Sequence, residues 1–201
     1  MSFDLQSIFS AFAAMSPWEL VAVLFGIAYI LLAAKESLWT WFFAFFGTLI
    51  YTLLFWEGAL LSSSLLNFYY MAMAIYGFIL WRGDREEEEL EVSSWRGAVH
   101  LKLIVAGLLV SAAGGYISDT YFHAQLAYLD TFVMVFSVIA TWMLAKKVLE
   151  NWIYWIIIDS SAIVLYWKSG YVATIVLFVL YVILAFYGYF SWRKAYDESR
   201  V

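Results

Sequence analysis

"YGFILWR", residues 76–82, returns 111 positions later as "YGYFSWR", residues 187–193. An ordered set of Tyr-Gly and Trp-Arg at fixed spacing is more than skewed composition supplies, so the chain reads as containing itself twice. Residues 34–82 laid over 145–193 without a gap share thirteen of 49 positions. The matches include Ala34-Lys35 with Ala145-Lys146, Trp41 with Trp152, Trp56 with Trp167 and Tyr70 with Tyr181. Further upstream, Glu19 falls on Asp130.

Composition says what medium the repeats occupy. Of 201 residues, 65% are hydrophobic and 13% charged, about half the charged share of a soluble domain. Apolar runs predict seven spans, at 18–34, 39–56, 59–81, 97–117, 127–145, 151–167 and 171–192. A helix needs about 20 residues to cross a bilayer. Backbone polar groups in hydrocarbon must be satisfied within each segment, so the spans are helices; the alternation of a membrane barrel is absent. Residues 1–17 lack a basic leader and read as a short interfacial segment stopped at Ser16-Pro17.

Three spans per repeat is an odd number, and the span at 97–117 restores the original direction. The expected fold is therefore all-α and polytopic, seven helices in a 3+1+3 arrangement of parallel repeats. Its parts are a first repeat at 18–82, an acidic cytoplasmic linker at 83–96 and a linker helix with outer loop at 97–126. A second repeat at 127–193 and a tail at 194–201 follow.

With the N-terminus outside, the inner side collects Lys35, Arg82, Arg85, Arg96, Lys102, Lys146, Lys147, Arg193, Lys194 and Arg200, and the outer side keeps only Lys168. That asymmetry places the C-terminus in the cytoplasm. The stretch "RGDREEEELEVSSWR" at 82–96 then lies inside as a solvated linker. Outside, Asp4, Glu19, Glu57, Asp119 and Asp130 form an acidic mouth that concentrates cations. There is no Cys, and His100 and His123 read as interfacial residues. No metal, cofactor or nucleic-acid partner is expected; a homo-oligomer is left open.

Candidate chemistry centres on "ENWIYWIIIDSSAIVLYWKSGY", residues 150–171, because Asp159 sits near its middle. A carboxylate at a bilayer centre costs roughly 2.5–3.5 kcal/mol on insertion scales, which a hydrated cavity relieves. At 100° per residue, Trp152, Trp155, Asp159, Ala162 and Tyr166 share one stripe. The equivalent stripe of the second span is Trp41, Ala44, Thr48, Tyr51 and Phe55. The fifth span aligns Asp130, Met134, Ser137 and Thr141, and the third offers Asn67 and Tyr70, with Ala74 and Gly77 beyond. The plain alternatives are that Asp159 bonds a neighbouring helix, the Trp residues anchor at the interface, and the tyrosines Tyr70, Tyr166 and Tyr181 only pack. A carboxylate on one stripe with two Trp instead suits a flat cationic heteroaromatic ring, by cation–π attraction and a charge-assisted hydrogen bond.

The "ENWIYW" segment with Asp159 beyond it, the "YLDTF" opening of the fifth span and the repeated Trp-Arg ends resemble the nicotinamide riboside transporter (PnuC) family. The likeness covers nearly the whole chain. It implies a bacterial inner-membrane vitamin transporter with a fold like full-length SWEET sugar transporters. Such facilitators work by alternating access, and a cytosolic kinase traps the vitamin. It also implies that Asn151, Trp152 and Trp155 belong to the substrate site or its gate. Members divide between nicotinamide riboside and thiamine. The nicotinamide riboside pattern carries amides where this chain has Asp159 and the shorter Asn67, and a carboxylate can accept from the aminopyrimidine of thiamine. The expectation leans to thiamine, with nicotinamide riboside as the alternative.

Other classes fit less well. Sugar uniporters of the SWEET type have prolines in their repeat helices, and Pro17 is the only proline here. A retinal receptor needs a Lys within its last span, and 171–192 has none. An enzyme is not expected, since Asp159 has no second carboxylate, His or Cys to complete a catalytic set.

Overall fold

The computed structural model describes residues 5–57, 61–83 and 90–200. They form eight α-helices: α1 (Leu5–Ala13), α2 (Pro17–Ala34), α3 (Trp39–Glu57), α4 (Leu61–Arg82), α5 (Gly97–Phe122), α6 (Ala127–Ala145), α7 (Asn151–Ser169) and α8 (Val172–Glu198). Asp4, Arg85, the acidic run 86–89 and the side chain of Phe55 lie outside the described residues. The fold is all-α, as expected; the single extended pairing among the described residues is a bridge between Ser93 and Val148.

Local signals set the helix ends. Ser16 and Glu19 form a capping box at the start of α2: Ser16 Oγ accepts the Glu19 N–H at 3.2 Å, and the Ser16 N–H donates to the Glu19 carboxylate at 2.6 Å. Pro17 fits there because the first helical position needs no donor. Two helices outrun their apolar segments. α5 continues to Phe122 before His123 turns left-handed, and α8 continues to Glu198 through the exposed pairs Arg193–Asp197 and Lys194–Glu198. Beyond the hydrocarbon a helix needs only such i,i+4 support, and an apolar count cannot see it.

By length and composition, four of the described helices can each cross a bilayer: α2, α5, α6 and α8. α3 contributes a shorter apolar stretch, Trp39–Leu54. α4 and α7 are less apolar because they carry Asn67 and the tyrosines, and Asn151 and Asp159.

Helices α2, α3 and α4 pack neighbour to neighbour, as do α6, α7 and α8; the two groups meet through α2–α8 and α4–α6. α5 rests on α6. Gly107, Ser111 and Gly115, four residues apart on α5, are buried there. A Cβ at Gly107 would stand 2.9 Å from the Phe136 ring, so the small residues set the approach.

Residues 111 apart take the same positions. In the α2–α3 turn, Glu36 N–H donates to Ala33 O, Ser37 to Leu32 O and Thr40 to Ser37 O. In the α6–α7 turn, Lys147 donates to Leu144 O, Val148 to Met143 O and Asn151 to Val148 O. Glu36 and Lys147 are both left-handed, at φ 53 and 51. Trp41 packs on Gly77 and edge-on to Trp81; Trp152 packs on Gly188 and edge-on to Trp192. A Cβ at Gly188 would lie 2.6 Å from the Trp152 ring, and one at Gly77 closer still to Trp41. Gly188→Ala and Gly77→Ala are each expected to destabilise by about 1–3 kcal/mol through overpacking. Melting of the purified protein in detergent checks this, and an unchanged midpoint would show that the indoles can yield.

Candidate functional site

The predicted stripe of α7 is its inward face. Trp152, Asp159 and Ala162 are buried and Trp155 and Tyr166 half-buried, while Ile153, Ile157 and Val164 on the far side are exposed. Asp159 is 4% exposed, and no basic side chain among the described residues pairs with it. Its electrostatic neighbours are the phenols of Tyr70 on α4 and Tyr181 on α8. These two tyrosines stand 111 apart and come from opposite helix groups. Ser137 on α6 is a further polar neighbour of the Tyr70 phenol. The Tyr181 hydroxyl reaches α2 at Gly26, where a Cβ would come within 2.9 Å of it. Gly26 and Ser137 are themselves 111 apart.

From this centre, acids and phenols run to the end of the bundle that carries Glu19 and Asp130. Tyr166 neighbours Tyr51, Tyr70 and Asp130, and Tyr51 neighbours Glu19. Tyr166 also stacks on Phe178 at 5.4 Å and 23°. Asp130 is exposed, whereas the Glu19 carboxylate is engaged in its helix cap. Beside Glu19, between α1 and the α7–α8 turn, lies a cleft of about 350 Å³ that also touches Met15, Tyr171 and Thr174.

The other predicted residues lie elsewhere or face their own helices. Thr48 Oγ1 donates to Ala44 O at 2.7 Å, and Thr141 Oγ1 to Ser137 O at 2.8 Å. Asn67 is half-buried on α4, three residues before Tyr70. Trp155 bridges the two apolar clusters of the core. Asn151 and Trp152 sit at the opposite, basic end. There Trp81 Nε1 donates to Ala145 O at 3.1 Å and Trp192 Nε1 to Ala33 O at 2.9 Å, each across the two helix groups. Lys147 Nζ meets the Glu36 carboxylate at 2.8 Å and lies 5.0 Å from the centre of the Trp81 ring. Trp152 is thus enclosed by protein, between Gly188 and the edge of Trp192.

This closure is incomplete chemically. Trp41 Nε1, Trp152 Nε1 and the Asn151 Oδ1 are buried without a hydrogen-bond partner. Each such group forfeits about 1–3 kcal/mol. Glu36→Lys is expected to loosen the basic end by setting two ammonium groups together, and the double swap Glu36→Lys with Lys147→Glu to restore it. Accessibility of cysteines placed at that end to a thiol reagent reads the difference; equal labelling in all three proteins would remove the pair from the closure.

Sequence reasoning does not single out Tyr29, a neighbour of Tyr70; it aligns Ser137 on its face of the fifth span and names Tyr181 with packing as the plain alternative. The 111-residue offset pairs Tyr181 with Tyr70. Sequence reasoning also misses the role of Glu150. The Ser94 hydroxyl and the Trp95 N–H both donate to that carboxylate, and His100 Nε2 lies 3.5 Å from it. Ser93 pairs with Lys147 O and Leu149 N, so the end of the linker, expected to be solvated, is laid across the α6–α7 turn with Val92 buried.

The profile of the family described as "Nicotinamide mononucleotide transporter" matches residues 16–194. The chain belongs to this family. The PnuC resemblance carried by "ENWIYW" is thereby borne out. Similar curated proteins are the nicotinamide riboside transporter PnuC of Escherichia coli, 21% identical over 90% of this chain and 86% of its own length, and PnuC of Neisseria mucosa, 25% identical over 96% and 78%. The riboflavin/roseoflavin transporter RibM of Streptomyces davaonensis is 26% identical over 87% and 83%. The solved crystal structure of a vitamin B3 transporter PnuC has the same fold, with a TM-score of 0.75 and 22% identity over 98% of this chain and 88% of that one. The PnuC-type chain is a multi-pass membrane transporter of the vitamin class, not an enzyme.

Proposed function

We propose that this PnuC-type protein takes up nicotinamide riboside, a cationic heteroaromatic vitamin, by alternating access. The observation that carries the reading is the buried, unpaired Asp159 between Tyr70 and Tyr181, which belong to opposite helix groups. A carboxylate with phenols around it attracts a pyridinium ring and can accept hydrogen bonds from its carboxamide. The ribose leaves polar partners for the tyrosine hydroxyls. Nicotinamide riboside now stands ahead of thiamine, since relatives spanning most of the chain are named for nicotinamide riboside and for riboflavin, and none of those cited for thiamine.

The architecture behind this mechanism is two parallel three-helix repeats joined by α5, like full-length SWEET. Supporting it are the matched turns, the matched Trp–Gly contacts and the reciprocal pairings α2–α8 and α4–α6. The basic end faces the cytoplasm by the positive-inside rule. In this conformation it is shut by the Trp cluster and the Glu36–Lys147 pair, and the ladder from Glu19 and Asp130 down to Asp159 forms the entry from outside. Tyr70, Asp159 and Tyr166 hold the vitamin, with Asn67 one turn from Tyr70 on α4 and Trp155 one turn from Asp159 on α7, while Thr48 and Thr141 bond their own helices. Asn151 and Trp152 act at the gate. A cytosolic kinase retains the vitamin by phosphorylation.

A competition panel decides the substrate. Binding of nicotinamide riboside to the purified protein, followed through its eleven Trp residues, is expected to outcompete thiamine, riboflavin and a simple sugar. A stronger response to thiamine would return that vitamin to first place, and response to sugar alone would defeat the vitamin reading.

A further inference from the structure

The two turns that meet at the basic end share their own hydrogen bonds but differ in what holds them from behind. The α6–α7 turn carries a strand. Ser93 N–H donates to Lys147 O at 2.9 Å, and Leu149 N–H donates to Ser93 O at 2.8 Å. This is the single extended pairing among the described residues. Val92, Val148 and Leu149 are buried at it. On the α2–α3 turn, the positions matching Val148 and Leu149 are Ser37 and Leu38. Both are half-buried, and no strand of the described residues covers them.

Glu150 fastens the strand. Its carboxylate accepts from the Ser94 hydroxyl, and from the Trp95 N–H at 3.3 Å. His100 Nε2 on α5 lies 3.5 Å from the same carboxylate, and His100 Nδ1 lies 3.2 Å from the Tyr154 hydroxyl on α7. The Trp95 ring packs against Trp142 of α6 at 5.1 Å and against His100 at 6.3 Å. Among the described helices α5 packs on α6 alone. Segment 92–95, α5, α6 and the start of α7 are therefore tied into one body. In the first repeat the residue matching Glu150 is Trp39, which is 64% exposed and offers no carboxylate.

We propose that Glu150 is a positioning residue of the cytoplasmic gate: it straps segment 92–95 to the α6–α7 turn, which stays fixed while the α2–α3 turn swings away. The inference rests on the alternating access proposed above. Opening the basic end must part Glu36 from Lys147, Trp81 from Ala145 O and Trp192 from Ala33 O. Moving the α6–α7 turn would also strip both bonds to Ser93, take the Glu150 carboxylate from its donors and bare Val92, Val148 and Leu149. Moving the α2–α3 turn breaks only the bonds across the gate, so it costs less. Lys147 shows the division within one residue: its carbonyl belongs to the strap and its side chain to the gate.

Glu150 stands nine residues before Asp159, about 14 Å along the helix axis, away from the proposed vitamin site. Its loss therefore slows the gate and leaves binding alone. Without the strap the α6–α7 turn follows its counterpart, and each swing opens less of the exit.

Uptake of nicotinamide riboside into proteoliposomes reads the gate. Glu150→Ala is expected to lower the maximal rate by about tenfold, the scale of one lost charge-assisted hydrogen bond, with the half-saturating concentration unchanged. The chain has no Cys of its own, so Ser94→Cys with Glu150→Cys can be joined in the purified, folded protein by a short bifunctional thiol reagent. The unjoined pair is expected to share the slow rate, and joining it to restore the parent rate. Joining Glu36→Cys to Lys147→Cys in the same way is expected to stop uptake. A joined 94–150 pair that stops uptake, or stays as slow as the unjoined one, overturns the proposal. So does a Glu150→Ala protein with the parent's maximal rate.

If the Glu150 variants misfold, fluorescent labels on chains that keep Glu150 decide, at the exposed positions Lys35, Arg96 and Ile153. The separation between Arg96→Cys and Ile153→Cys is expected to hold when nicotinamide riboside is added, and that between Arg96→Cys and Lys35→Cys to change. Any change in the first pair, or none in the second, overturns the fixed and moving turns. Failure of the parent protein to take up nicotinamide riboside, thiamine or riboflavin instead overturns the transport reading, and the gate with it.

Discussion

Asp159→Asn is expected to weaken nicotinamide riboside binding by about 10- to 100-fold, the range set by losing a charge-assisted hydrogen bond of roughly 1.5–3 kcal/mol. Asparagine keeps the shape of the side chain and its acceptor oxygen, so packing between Tyr70 and Tyr181 is retained and the change isolates charge. The empty protein should gain stability or hold it, because an amide has no ionised form to bury. Titration by Trp fluorescence gives the affinity, and melting in detergent gives the stability. A variant that binds as tightly as the parent would show that Asp159 serves helix packing.

Trp152→Ala has the larger structural consequence. The indole is 2% exposed, stacked on Gly188 and edge-on to Trp192. Removing a buried Trp costs about 3–5 kcal/mol. Trp41→Ala, in the matched position against Gly77 and Trp81, should lose a similar amount. Parallel losses in melting midpoint mark both as closure residues. If Trp152→Ala melts like the parent and loses binding alone, the residue is a stacking surface for the vitamin, as the stripe on α7 first indicated.

Particular residues explain what could be read in advance. The inward face of α7 followed from periodicity, because Asp159 and Ala162 cannot share a lipid-facing stripe without a penalty, and burial on that face agrees. The helix starts at Pro17, Trp39, Gly97, Ala127 and Asn151 fell within a residue of expectation, since Ser16-Pro17 and the basic turns mark them. Depth along the helix was harder. Trp152 and Asp159 share a stripe but lie seven residues apart, about 10 Å along the axis, so one stands at the start of α7 while the other sits near its middle. Periodicity reports direction around a helix and nothing about which level its neighbours occupy. Tyr181 was visible only through its counterpart Tyr70, because it lies in an apolar aromatic run whose own pattern does not separate a site residue from a packing one. Glu150 was read as part of a motif, but its ligands come from Ser94 and Trp95, more than fifty residues earlier, which no local pattern encodes.

The salt link between Glu36 and Lys147 carries a consequence for the likeness of the two turns. The two residues stand 111 apart, one in each of two turns with the same hydrogen bonds. Were the turns identical in sequence, acid would face acid or base would face base, and like charges would repel there. The attraction exists only because the two turns differ at this position.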